Sequence, residues 1–179
     1  MELKKTIENR RSIRKFKSDD IDNSIIIDLI NSARLAPSAR NLQPWRFYIA
    51  RGSTKQKISD TMKQYHKSHP ENTMGMYTTS LAIDEAPVLL LVFRNPETTS
   101  DRNDTLSLGA GIEHILLSAT EIGLGSLWIC AMYNVRHEIS KIINTPLELY
   151  SMIALGYPNE NPAPRPRKTL NELIIGIDE

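Results

Sequence analysis

The run "APVLLLVF", residues 86–93, limits the possible folds more than any other stretch of the chain. Uninterrupted apolar side chains must leave water. The run falls well short of the roughly 20 residues that a membrane-spanning helix needs. It reads as a buried strand, which requires partner strands and a covering layer. With 40% hydrophobic and 24% charged residues in 179, the chain can supply that cover within one globular domain.

The covering elements are legible on both sides of the run. "DNSIIIDLINSARLA" repeats Ile26, Ile30 and Ala33 at helical spacing, joined by Ile25 and Leu29, and Pro37 closes it. "SLGAGIEHILLSATEIG" carries Leu108, Ile112, Ile115, Ala119 and Ile122 on one stripe. Leu116 and Leu117 widen that stripe until the helix is largely buried, and Gly123 is placed as its C-terminal cap. "WRFYIA", "SLWICAM" and "YSMIALGY" read as further strands. Short helices are expected at residues 2–10, from Ser53 to about 66 with Ser53 and Gln56 as a capping box, and over 135–143 behind Asn134. A last short segment should begin at the capping box Thr169/Glu172. Residues 67–80, with a proline, a glycine and few large aliphatics, read as a mobile insertion or lid within a single domain spanning 1–179. Interspersed helices and strands without a glycine-rich strand-to-helix turn predict an α+β sandwich. Its sheet should have about four strands around the buried central helix.

Several functions are poorly supported. The formal net charge of +1 gives no reason to expect nucleic acid as a partner. Cys130 is the single cysteine, so no internal disulfide can form. Its apolar neighbours suggest a small core hydrophobe. "MELKKTIENRR" carries no apolar stretch of a secretory signal, and a cytoplasmic protein without membrane contact is expected. His66 and His69 lack acidic neighbours at ligand spacing and read as surface residues, so no metal site is expected. Ser12 and Ser38 lack an obvious base, and hydrolase motifs are missing.

"ENRRSIRKFKSDD" raises a different possibility. Arg10, Arg11, Arg14, Lys15 and Lys17 surround Ser12. A charge run is usually a solvated face. Here Arg10, Ser12 and Arg14 alternate, so an extended backbone points them the same way. A second basic cluster, Arg165, Arg167 and Lys168, sits in the proline-stiffened arm "NPAPRPRK". Guanidinium forks and a hydroxyl on a rigid backbone suit a phosphate.

Four blocks carry a family resemblance: "RRSIRKF", "APSARNLQPWRFYI", "GIEHILLSATEIGLGSLWI" and "ALGYPNENPAPRPRKTLNELI". In this order and at these distances, they resemble the nitroreductase-like FMN-dependent flavoproteins. The resemblance implies a nitroreductase-like sandwich, with a mostly antiparallel sheet of four to five strands flanked by helices, in an intertwined homodimer. It implies FMN at the subunit interface and NADH or NADPH as reductant. Arg10, Arg11 and Ser12 would serve the phosphate and Arg14 the pyrimidine edge of the flavin. Arg165 and Arg167 would complete the phosphate site, with Lys168 able to replace either. Pro37, Ser38, Asn41 and Gln43 would reach the flavin from the partner subunit. Ile129, Cys130 and Ala131 would offer main-chain N–H groups near flavin N5. No side chain need be catalytic, because the cofactor carries the hard chemistry. The expected activity is ping-pong reduction of nitroaromatics, quinones or similar small molecules. A dehalogenase-like or flavin-processing relative, a non-catalytic flavin binder and a basic anion-binding module are the competing readings. Glu113-His114 depart from the family's usual pair on the central helix, and His114 reads as an interior polar contact.

Overall fold

The apolar run becomes a strand, Val88–Arg94, with Val88 to Phe93 all buried. The computed structural model describes residues 2–95 and 101–178. In chain order its elements are α1 (Leu3–Asn9), α2 (Asn23–Arg34), β1 (Trp45–Ala50), α3 (Gly52–Ser68), α4 (Met74–Glu85) and β2 (Val88–Arg94). These are followed by α5 (Asp101–Glu121), β3 (Gly125–Ile129), α6 (Arg136–Ile142), β4 (Glu148–Gly156) and α7 (Leu170–Leu173).

The strands form one sheet in the order β1-β2-β4-β3, each pair antiparallel. Alternation along β2 explains its unbroken apolar character. Leu89, Leu91 and Phe93 enter a core with Ile58 and Met62 of α3, Ile83 of α4 and Ile139 of α6. Val88, Leu90 and Val92 enter a second core with Ile26 and Leu29 of α2 and Leu108, Ile112 and Ile115 of α5. A strand covered on both faces cannot alternate apolar with polar. Fully burying a side chain such as Leu90 stabilises the fold by roughly 1.5–3 kcal/mol.

The helix ends follow local chemistry. The Asp22 carboxylate accepts from the Ser24 backbone N–H at 2.8 Å and caps α2. Gly123, at φ +82°, closes α5: its N–H reaches Thr120 O, and that of Leu124 reaches Ala119 O at 2.8 Å. The helix has ended by then, so Ile122 leaves the expected stripe and is half exposed. Thr169 and Glu172 form the expected capping box of α7. The box expected at Ser53 and Gln56 does not form. The Gln56 amide donates instead to Asp60 and Asp84.

The stretch 67–80, read as an insertion, is largely helical: the end of α3, a short turn at Pro70–Asn72 and the first half of α4. The helix was hidden because α4 packs through Met76, Ser80, Ala82 and Ile83, with threonine, serine and glycine between. Its buried polar groups are paired. Ser59 Oγ donates to Ser80 O at 3.0 Å and to Asp84 Oδ1 at 2.6 Å, and Lys63 Nζ donates to Asp84 Oδ2 at 2.5 Å.

Burial opposes ionisation of Asp84, but the bonds from Lys63 and Ser59 outweigh it and hold the carboxyl below its ordinary value of 3.8. Its stabilisation is therefore complete above that value and is lost as pH falls through the lower folded-state pKa. Thermal melts between about pH 5 and pH 2.5 should show wild-type stability falling in that window. The Asp84→Asn variant should fall less steeply; equal slopes would remove Asp84 from the account.

Candidate functional site

Residues 10–17 form an irregular segment rather than a strictly alternating one: Arg10, Arg11, Ser12 and Arg14 all line one cleft, and Ile13 and Phe16, three apart, are both buried. Ser12 bridges Ser126 of β3 in parallel register, and Phe16 bridges Pro158. The Ile13 N–H donates to Ser126 O at 3.0 Å, and the Lys17 N–H donates to Tyr157 O at 2.8 Å. Ile13 and Phe16 are buried in the sheet core, which turns their neighbours outward. Gly125 lets the segment sit close: a Cβ there would lie 2.9 Å from Ile13 Cγ2. Gly125→Ala should displace residues 12 and 13 and destabilise the protein by about 1–3 kcal/mol through overpacking. A melting temperature equal to wild type would show that the contact gives way freely.

The outward side chains line a cleft of about 510 Å³. Arg10, Arg11, Ser12 and Arg14 come from one end of the chain, and Pro162, Pro164, Arg165 and Arg167 from the other. Lys168 is not among the lining residues. Glu160 ties the two ends together: its Oε1 accepts the Arg14 backbone N–H at 2.5 Å and that of Lys15 at 3.2 Å. Arg10 Nε lies 3.6 Å from Glu113 Oε1 of α5. Arg11 Nη1 donates to the Glu8 and Arg10 carbonyls. Five guanidinium groups thus share one cleft whose lining contains one carboxylate, Glu8. Such a donor set suits a polyanion.

The loop 37–43 lies elsewhere. Pro37 and Ser38 line a separate hollow of about 250 Å³ with Asn103, Leu106, Ser107 and Ala110. Arg40, Asn41 and Gln43 all have positive φ, at 54°, 56° and 49°. Three non-glycine residues in this region cost backbone energy, a pattern that clusters at functional sites. The shape is held from within and from α5. Ser38 Oγ accepts the Gln43 N–H at 3.1 Å, and Ser107 Oγ accepts that of Ala39 at 3.2 Å.

Ile129, Cys130 and Ala131 line neither cavity. They run from the last residue of the edge strand β3, which Ser12 bridges, into the turn beyond it. Cys130 lies one residue past the strand and is exposed, which corrects the expectation of a core side chain. Trp128, two residues earlier on the same face, is also 37% exposed, although its ring reaches Gly109 of α5. Trp128 Nε1 donates to Ser151 Oγ at 2.7 Å, and Ser151 Oγ donates to Ile129 O. His114 makes the expected interior contact, with Nδ1 3.1 Å from Ser32 O. Reading the sequence missed Glu160, Ser126, Ser107 and Arg40. Of these, Glu160 carried a signal, as the single acid within "PNENPAPRPR".

A model of the Nitroreductase family matches residues 7–157. The chain belongs to the nitroreductase family. A Bacillus subtilis chain assigned as an NAD(P)H nitroreductase is 28% identical over 177 residues, covering 95% of this chain and 91% of that one. The iodotyrosine deiodinase of Thermotoga neapolitana is 31% identical over 183 residues, covering 94% and 93%. The crystal structure of the FMN-dependent nitroreductase NfnB from Mycobacterium smegmatis, in complex with NADPH, shares the fold. Its TM-score is 0.84 at 17% identity, covering 98% of this chain and 97% of that one. The four-stranded antiparallel sheet and its helices are thus a nitroreductase fold. Relatives of similar identity have names with different acceptors, so family membership alone does not choose a substrate. Among the described residues, no helix is long and apolar enough to cross a membrane.

Proposed function

We propose that this chain is an FMN-dependent NAD(P)H oxidoreductase that reduces small electron-poor acceptors, such as nitroaromatics and quinones, by ping-pong hydride transfer. The observation that carries this reading is the convergence of Arg10, Arg11 and Arg14 with Arg165 and Arg167 on one cleft. Its size is within the range of small-molecule sites, and its donor chemistry fits the phosphate of FMN.

Arg10, Arg165 and Arg167 would hold the phosphate with the Ser12 hydroxyl. Arg14 would place a cation against the pyrimidine edge, favouring negative charge there. The main chain at Ile129–Ala131, on the same sheet edge, would offer N–H groups to the ring. Bound FMN would supply the two-electron chemistry that no side chain here can perform.

Loop 37–43 and the arginine cleft are separate surfaces of one chain. For Pro37, Ser38, Asn41 and Gln43 to serve the same flavin, a second copy must provide them. A homodimer with FMN at its seam follows. Exposed Leu35 and Leu106 near the loop, and Leu170, Leu173, Ile175 and Ile177 in the C-terminal arm, support such an interface.

The 31% identity to a deiodinase favours one second reading, a dehalogenase-like enzyme that would bind a zwitterion with the segment around Lys67, Glu71 and Tyr77. Tyr77 stacks on His66 there, with ring centroids 5.1 Å apart.

Purified protein should be yellow, dimeric by light scattering, and release FMN on denaturation. Oxidation of NADH or NADPH should accelerate with nitrofurazone or menadione. Turnover of halotyrosine alone would select the second reading. Bound FMN without turnover would select a storage role. A colourless protein that takes up no FMN sinks all three.

A further inference from the structure

The face of β3 that carries Ser126 holds an unexplained group. Ser126 is 2% exposed, and its Oγ has no hydrogen-bond partner among the described residues. An unpaired buried hydroxyl costs roughly 1–3 kcal/mol, so its presence calls for a reason. The backbone points to one. Residues paired in a bridge present their side chains to the same face of the sheet, and Ser126 is bridged to Ser12. The alternation is confirmed from the opposite face, where Gly125 lies flush against Ile13. Ser126 thus sits behind Ser12, which lines the arginine cleft while Ser126 does not.

We propose that Ser126 is a positioning residue that directs the Ser12 hydroxyl toward a phosphate in the cleft. This rests on the FMN reading above. A phosphate dianion only accepts hydrogen bonds, so Ser12 must point its proton at the anion. Its lone pairs then face away and need a donor. Ser126 supplies that donor, and its proton lacks a partner until Ser12 has turned. The direction of donation is Ser126 to Ser12 to phosphate, and each bond polarises the next. No proton is transferred; the chain orients a hydroxyl.

The test measures FMN and riboflavin affinity by flavin fluorescence for wild type, Ser126→Ala, Ser12→Ala, the double variant and Arg10→Ala. Riboflavin lacks the phosphate and reports on everything else. Ser126→Ala should weaken FMN about five- to tenfold and leave riboflavin unchanged. It should add nothing in the Ser12→Ala background. The flavin-free Ser126→Ala protein should melt no lower than wild type, because it loses an unpaired group. Three results overturn the proposal: unchanged FMN affinity while Arg10→Ala weakens it, equal loss for riboflavin, or a full effect persisting without Ser12. If Arg10→Ala is also without effect, the phosphate assignment itself falls and takes this inference with it.

Discussion

Replacing Arg10 and Arg165 together by alanine is expected to lower FMN affinity at least about 100-fold while changing riboflavin affinity little. A hydrogen bond to a charged group contributes roughly 1.5–3 kcal/mol net, and the variant removes a guanidinium from each end of the chain. The two losses need not add, since both groups would act on one anion. The single variants should each weaken binding by roughly 1–3 kcal/mol. The comparison with riboflavin isolates the phosphate from the ring. Titration followed by flavin fluorescence decides the matter: comparable losses for the two ligands would move the arginines away from the phosphate. Stability should change little, because Arg165 is exposed and Arg10 contributes one ion pair at 3.6 Å.

Lys55→Met should be the most destabilising single change outside the two cores. The Lys55 ammonium is nearly buried and donates to three carbonyls where α4 ends: Ile83 O at 2.8 Å, Asp84 O at 2.9 Å and Ala86 O at 2.6 Å. Burial pushes its pKa down, and the Asp84 carboxylate partly opposes that shift. The cation satisfies helix-end carbonyls that have no intrahelical partner, at the negative pole of the helix. Methionine fills similar space but donates nothing, leaving those carbonyls unpaired. A loss of about 3 kcal/mol is expected, or roughly 6–12 °C in melting temperature for a chain this size. A fall of less than about 2 °C would mean that water replaces the ammonium. Flavin affinity provides the contrast, since Lys55 does not line the arginine cleft.

This lysine also shows why part of the fold was hard to read. Elements that bury a continuous apolar surface announce themselves, α5 by its helical period and β2 by its unbroken run. α4 does not, because it is held through polar side chains on α3: Lys55 donates to the Ile83 and Asp84 carbonyls, Ser59 to the Ser80 carbonyl and Lys63 to the Asp84 carboxylate. Nothing in "MGMYTTSLAIDE" alone identifies those partners. Cys130 misled for a related reason. Its neighbours are apolar, but whether a residue just beyond a strand end is covered depends on which helix passes over it.

The site was legible to different degrees. The basic clusters, their serine and the prolines were plain in the residue order, and the order of four motifs pointed to the family. Ser126 was invisible, because an unsatisfied hydroxyl is a property of its surroundings. The strained φ values at Arg40, Asn41 and Gln43 were likewise hidden, since none of these residues is glycine.

Residue order by itself determined the buried strand, the central helix and its glycine stop, and the two arginine clusters, because each depends on neighbours a few positions away. Tertiary structure alone decided that the clusters meet. Arg14 and Arg165 are distant in sequence, and they share a cleft because residues 12–16 pair with the edge strand and with Pro158 while Glu160 accepts from the backbone between them. Such pairings follow from the order β1-β2-β4-β3, a choice made by packing two cores against one sheet rather than by any local pattern.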